Sequence, residues 1–289
     1  TALDLQVIVV DNNSGDGSAD MVREKYPGVT LIDNKNNTSC SVGHNQGIRA
    51  ADARHVLLLN PDTESNPAAI EAMVKFLDRY ETVGAVSVQL LNTNGSRQDS
   101  HFRFPVPLSR YVEGASWYPA VSQKLLRLSP PGPPIREHGA LRVDIIGGAC
   151  LMCRSEALER VGMLDEQSFP YAAHIDWCIR ARRSGWDACL LTDHAIPHHG
   201  RAGTSRETHL CIAASHRSKL LLYRKHYPAL FAISWSMFVF LEIFYKYILN
   251  GLRVKTGRAN KPVQEKFEAY QTLFNELILK RPDHGDPHA

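Results

Sequence analysis

Three positions in this sequence carry side chains that could do chemistry, and each follows an apolar run. Asp11 ends the run Leu5–Val10 and opens Asn12-Asn13-Ser14-Gly15-Asp16-Gly17-Ser18. A carboxylate there can accept hydrogen bonds from a base or ribose, or close an Asx-type turn with Ser18 capping the next helix. The residues alone leave both open. Gly15-Asp16-Gly17 starts like a dinucleotide fingerprint, but Asp20 stands where the third glycine belongs, and an acid at the strand tip would repel a pyrophosphate. A calcium loop fails as well, with Asp16 at the obligatory glycine and Val22 at the last carboxylate. Asp62 follows a second run, in Leu57-Leu58-Leu59-Asn60-Pro61-Asp62-Thr63. Its oxygens suit a hard divalent cation, which would neutralise a departing diphosphate; otherwise Asp62 is a turn residue after Pro61. His198-His199-Gly200 follows a later strand and offers an imidazole ligand, or simply a histidine pair at the surface or in the core.

Cys150 and Cys153 form a lone CxxC. A structural zinc site needs a second ligand pair, and no second CxxC exists. Both lie in the apolar stretch Ile145–Cys153, so they read as buried strand residues, and the six cysteines fit a reducing cytosol.

The elements that must hold these groups alternate through the first half. After Leu5–Val10 come a helix over Ser18–Tyr26, a strand over Val29–Asp33, a helix around Val42–Ala51 and the run His55–Leu59. A helix from Pro67 to Tyr80 follows, with proline in the first turn where its missing N–H costs nothing, and then the run Ala85–Leu91. Such alternation predicts an α/β fold with a largely parallel sheet flanked by helices, its ligands beyond the carboxyl ends of the strands. Asn92–Leu141 holds no period and is expected to be a long loop region over the site. Regularity returns with Val143–Arg154, helices near Ser155–Val161 and Ile175–Ser184, a strand at Ala188–Leu191, and helix alone beyond His209.

With 33 Lys and Arg against 30 Asp and Glu among 289 residues, the formal charge is +3, and nucleic-acid binding has no compositional support. No signal peptide opens the chain, which does not begin with Met, and a strand begins by Leu5. The chain is therefore expected to be a trimmed one.

Taken together, the motifs carry more than each alone. Val9-Val10-Asp11-Asn12-Asn13-Ser14 with Asp16-Gly17-Ser18, then Asn45-Gln46-Gly47-Ile48, then Leu57–Thr63 resemble the family-two glycosyltransferases, above all their rhamnosyltransferase-like branch. Gly147-Gly148-Ala149-Cys150, Arg154, Gly162–Glu166, Asp176–Arg180 and His198-His199-Gly200 keep that family's order, over roughly residues 5–227. The resemblance implies a GT-A fold over residues 1–209 with a helical extension over 210–289. It also implies a UDP- or dTDP-sugar donor, a saccharide or polyprenyl-linked acceptor, and a divalent cation, Mg2+ or Mn2+. By position Asp11, Asn13, Asn45 and Asp62 would hold the nucleotide, Asp62 and His198 the metal, and Gly147 and Gly148 would line the acceptor side. The family has a strand and helix upstream of the Asp11 segment that this stretch lacks, so an interior strand would be missing, exposing unpaired backbone and apolar surface. Where the family carries Glu-Asp before the position of Asp176, this chain has Ala173-His174. His174 is then the expected general base, with Asp176 orienting the loop or the imidazole; the alternatives are Asp165, Glu166, or loss of catalysis.

In the tail, Leu230–Leu249 is apolar and aromatic and long enough to span a membrane, but Glu242 lies inside it. Ser236, Glu242, Lys246 and Asn250 fall on one side of a helix, and basic residues flank it at Arg224, Lys225, Arg253, Lys255, Arg258 and Lys261. The segment is expected to lie on the cytoplasmic surface of the inner membrane. A helix packed on the catalytic domain or on a dimer partner, or a spanning helix, are the other readings.

Overall fold

The computed structural model describes residues 3–105, 118–167, 172–200, 208–257 and 260–279. The chain divides into two compact units, Thr1–Ala202 and Gly203–Ala289.

In the first unit, β1 (Ile8–Asp11), α1 (Ser18–Lys25), β2 (Thr30–Asp33), α2 (Cys40–Ala50), β3 (His55–Leu59), α3 (Pro67–Arg79) and β4 (Val83–Leu91) alternate as the pattern predicts. The α3 helix shows why. Asn66 accepts a hydrogen bond from the Ala69 N–H at 2.8 Å as N-cap, Pro67 opens the first turn, and Ala69, Met73, Phe76 and Leu77 recur on one buried face. That face packs on β4, whose run is buried on both sides, together with Met152, Cys189, Leu191 and Ile196. Ser18 is not the cap of α1, however. It is the first helical residue, Gly17 at φ 85° stands before it, and Asp16 accepts from both the Ser18 N–H and its hydroxyl.

The second half of the unit contains β5 (His101–Phe102), α4 (Tyr118–Leu125), β6 (Ala140–Val143), β7 (Ile145–Ile146), β8 (Cys150–Arg154), α5 (Ser155–Val161), α6 (Ala173–Arg183) and β9 (Asp187–Pro197). The main sheet runs β3-β8-β4-β9-β6. Pair β4–β9 is parallel, whereas β8 inserts antiparallel between β3 and β4, and β6 lies antiparallel on β9. The sheet is therefore mixed rather than largely parallel. Parallel neighbours need a crossover of a dozen residues or more, and no helix separates β6, β7 and β8.

Two further differences belong to this half. The expected loop Asn92–Leu141 contains β5 and α4, with residues 106–117 outside the described ones, and Gly147-Gly148 breaks Val143–Arg154 into β7 and β8. Strands β1 and β2 form a separate parallel pair. Among the described residues β1 pairs only β2 and β3 pairs only β8, so each has one free edge. Leu5 and Val7, expected in a buried strand, are half exposed beside the free edge of β1.

In the second unit, α7 (Thr208–His226), α8 (Ala229–Lys255) and α9 (Lys261–Leu279) pack side by side. Leu220, Val239, Ile243, Tyr270 and Leu273 form their core, and Tyr247 stacks on Phe267 and Phe274.

Candidate active site

The carboxyl ends of β3, β4 and β9 meet at Asp62. The turn after β3 is zipped to the end of β9: the Glu64 N–H donates to Pro197 O at 2.9 Å and the His199 N–H to Asp62 O at 2.8 Å, while Thr63 bridges His198. His198 also donates its backbone N–H to Leu91 O, at the end of β4. Residues from three strands, far apart in sequence, are thus fixed by main-chain bonds alone.

The side chains then set a protonation pattern. Asn92 donates to Ser96 Oγ at 2.9 Å, which turns its carbonyl oxygen to accept from Gln98 Nε2 at 3.1 Å. Gln98 therefore presents Oε1 to His198 Nδ1, at 2.6 Å, and Nδ1 must carry the proton. In the neutral ring Nε2 is then a bare lone pair, and it faces Asp62 Oδ1 at 3.3 Å. That carboxylate oxygen is buried and has no hydrogen-bond partner. Two lone pairs cannot face each other stably at this distance, so either a second proton or a cation belongs between them.

Among the described residues no three His, Cys, Asp or Glu side chains converge as a metal cluster. A pair is nevertheless enough for an ion that takes its remaining ligands from water and a diphosphate. The donor set, one carboxylate and one imidazole with its second nitrogen anchored, fits a divalent cation.

At the tip of β1, Asp11 is nearly buried and accepts the Ser14 N–H at 3.0 Å, closing the Asx-type turn. Hydrogen bonds from Ser14, the side chain first and then the backbone, hold its carboxyl below the usual range, so it is ionised. Asn13, exposed at φ 64°, makes the left-handed step that asparagine tolerates.

Beneath this turn lies an amide network that the sequence motifs contain but do not explain. Asn12 Oδ1 accepts from Asn34 at 2.9 Å and Thr38 at 3.0 Å, Asn12 Nδ2 donates to Ser39 O at 3.1 Å, and Asn34 and Gln46 exchange bonds at 2.8 and 2.9 Å. Ser39 holds φ 105° and ψ 155°, a region that side chains rarely enter, while capping α2.

Asn45 is buried among protein partners. Only 1% exposed, it donates to Leu164 O and Glu166 Oε1, both at 2.8 Å, and accepts the Leu164 N–H at 3.0 Å. The amide expected on a nucleotide clamps α2 to residues 164–166. Glu166 is held there too, with Arg49 at 3.2 Å.

Gly147 and Gly148 make room. A Cβ on Gly147 would meet Ser100 O at 3.2 Å, and one on Gly148 would meet His174 Nδ1 at 3.2 Å. The Gly147 N–H donates to Ser100 O and the Asn60 N–H to Ala149 O, which tie this segment to Gln98-Asp99-Ser100 and to the Asp62 turn. His174 lies in the first turn of α6, and burial pushes its imidazole down to about 4. At neutral pH the ring is uncharged and can accept a proton, although weakly. Asp176 is fully buried on Arg180, whose Nε donates to it at 2.7 Å; Arg180 in turn donates to Val161 O at 2.6 Å and Met163 O at 2.7 Å. Asp176 thus orders the loop that carries Leu164–Glu166.

The fold that carries these features is of the GT-A glycosyltransferase type. Residues 1–162 match the family model for glycosyl transferase family 2. The chain belongs to that family and is a glycosyltransferase. It is 27% identical over 233 residues to the N-acetylglucosaminyl-diphospho-decaprenol L-rhamnosyltransferase of Mycobacterium tuberculosis, covering 74% of this chain and 73% of that protein. It is 31% identical over 182 residues to the low-salt glycan biosynthesis hexosyltransferase Agl10 of Haloferax volcanii, covering 62% of this chain and 53% of that one. The mannosyltransferase PcManGT of Pyrobaculum calidifontis, solved with GDP-Man and Mn2+, is similar in fold at a TM-score of 0.50 and 18% identity, over 96% of this chain and 79% of that one.

Cys150, Cys153 and Cys189 on the strands and Cys178 on α6 are free and buried, with no disulfide among the described residues. Burial raises Cys150 to about 11 and Cys178 and Cys189 to about 12, and lifts Cys153 well above the ordinary thiol. They are packing residues of the sheet and of α6.

Proposed function

We propose that the chain moves a hexosyl residue, rhamnose first among the candidates, from a dTDP- or UDP-sugar to a saccharide or polyprenyl-linked acceptor, with inversion. The observation that carries the reading is the unpartnered Asp62 Oδ1 facing His198 Nε2 at 3.3 Å. Asp62 and His198 would hold a divalent cation, which when bound supplies neutralisation of the diphosphate. Asp11, ionised at the β1 tip with Asn13 beside it, would take the hydrogen-bond donors of the base or ribose. Neutral His174 would accept the acceptor's hydroxyl proton as the new glycosidic bond forms and the bond to the diphosphate breaks. Gly148 leaves the space in which that ring stands, and Gly147 would line the acceptor side. Asp176 and Asn45 act through the loop they fix.

The decaprenol-linked acceptor in the name of the mycobacterial relative supports a lipid-linked acceptor here. With such an acceptor the chain would work peripherally at the cytoplasmic face of the inner membrane. A second reading, a non-catalytic nucleotide-sugar-binding module, is favoured by the depressed basicity of His174. Release of dTDP or UDP from a panel of nucleotide sugars, with Mn2+ or Mg2+ and then with chelator, separates them. Metal-dependent release supports transfer, and release undiminished by chelator refutes the cation's role. Nucleotide binding without release selects the module.

A further inference from the structure

The α8 helix is inverted relative to a helix in a water-soluble bundle. At 100° per residue, Leu230, Ile233, Met237, Leu241, Phe244, Ile248 and Leu252 form one stripe about 33 Å long, and all are exposed, Leu230 by 85%. Between Leu230 and Leu252 no exposed residue of this helix is charged. Opposite that stripe stand Glu242, Lys246 and Asn250: Glu242 pairs with Lys246 at 2.5 Å, each side chain 37% exposed, Lys246 sits 5.6 Å over the Tyr270 ring of α9, and Asn250 is buried. Polar groups are thus paired on the side that meets α9 while a long apolar stripe is left outside, which water does not favour.

The neighbours limit what can cover this face. Arg217, Lys219, Arg224 and Lys225 of α7 are exposed, as are Lys266 and Glu268 of α9. Both helices pack along α8. A spanning α8 would draw these charges into hydrocarbon, each disfavoured by about a hundredfold. Beside the stripe, a groove of about 340 Å3 is floored by Ala232, Ile233, Met237 and Phe240, with Ser236 and the Arg224 guanidinium also lining it. An apolar floor under a cationic rim suits an acyl chain beneath an anionic headgroup.

We propose that the α8 stripe lies in the plane of an anionic phospholipid surface, at the boundary of headgroups and acyl chains, with the basic residues of α7 on the headgroups. This deepens the membrane-surface part of the proposed function, and vesicle binding can fail while nucleotide release stays intact, so the two are separable. The test is flotation of the full chain with vesicles of equimolar phosphatidylglycerol and phosphatidylcholine, and with phosphatidylcholine alone. The chain should float with the anionic vesicles and far less with the neutral ones. The triple variant Met237→Glu, Leu241→Glu, Phe244→Glu should lose at least about a hundredfold in partitioning with an unchanged thermal midpoint, since these side chains are exposed. Arg224→Gln should lose about fivefold on anionic vesicles and nothing on neutral ones. In Leu241→Trp, which keeps the face apolar, lipids brominated near the headgroup should quench the new indole best. Equal flotation of wild type and triple variant would overturn the proposal. So would quenching strongest at the bilayer centre, or a dimer that the triple variant dissociates while wild type ignores vesicles.

Discussion

Replacing Gln98 by leucine tests the logic of the Asp62–His198 pair without touching either group. Gln98 Oε1 accepts from His198 Nδ1 at 2.6 Å and so keeps the lone pair on Nε2, 3.3 Å from Asp62 Oδ1. Leucine has similar bulk and no acceptor. The imidazole is then free to move its proton to Nε2 and donate it to Asp62, which joins the two ligands to each other. Loss of such an outer partner typically lowers metal affinity about 10- to 100-fold, or about 1.4–2.7 kcal/mol. Stability should fall by about 2 kcal/mol, for the two neutral hydrogen bonds to His198 and Asn92. The assay is Mn2+ titration of the purified chain in the presence of dTDP, read by loss of the free-ion paramagnetic signal. Gln98→Glu, which restores an acceptor on Nδ1, should recover most of the affinity. A Gln98→Leu protein that binds Mn2+ within about threefold of wild type would refute the tautomer argument, and with it the reason for placing a cation here.

Three further outcomes follow from the packing and the charges. Burial holds the folded imidazoles of His174 and His216 at about 4, against about 6.5 in the unfolded chain, so below pH 6.5 the unfolded state binds more protons. Their contribution is full above pH 6.5 and is lost as pH falls toward 4, at up to about 1.4 kcal/mol per pH unit for each; urea unfolding at pH 7, 5.5 and 4.5 should show that slope, and His216→Phe should flatten it. A slope unaltered by His216→Phe would refute the assignment. Asn45→Leu should destabilise the first unit by about 3 kcal/mol, because the Leu164 N–H and C=O lose their partners in a buried place. A shift in urea unfolding worth less than about 1 kcal/mol would show that Asn45 is no clamp. At pH 8, iodoacetamide should leave Cys150, Cys153, Cys178 and Cys189 unmodified in the native chain and react with them in urea; rapid native labelling read by mass spectrometry would contradict their burial.

What the sequence discloses here tracks how local the determining interaction is. Helices α1 to α3 and strands β1 to β4 follow from period and caps, since each carries its own amphipathic face or apolar run. Strand β5 escapes because two residues hold no period, and helix α4 because it stands in a proline-rich stretch that sustains none. The same division runs through the site. Asp11, Asp62 and His198 are visible as residue types at strand ends, but Gln98, which decides what His198 can do, sits in no motif and is placed by a hydrogen bond spanning a hundred residues. Asn45 shows the converse, for its motif is plain in the sequence, yet the direction of its amide is set by Leu164, 119 residues away. On α8 the helical arithmetic separates a polar stripe from an apolar one without saying which faces inward. Packing of Val239 and Ile243 against Leu220, Tyr270 and Leu273, with Tyr270 beneath the Lys246 ammonium, sets the polar side next to α9 and leaves the apolar stripe out. A local pattern fixes which groups share a surface, and a distant partner fixes what that surface is for; the Gln98 and α8 experiments therefore probe contacts that no motif could have supplied.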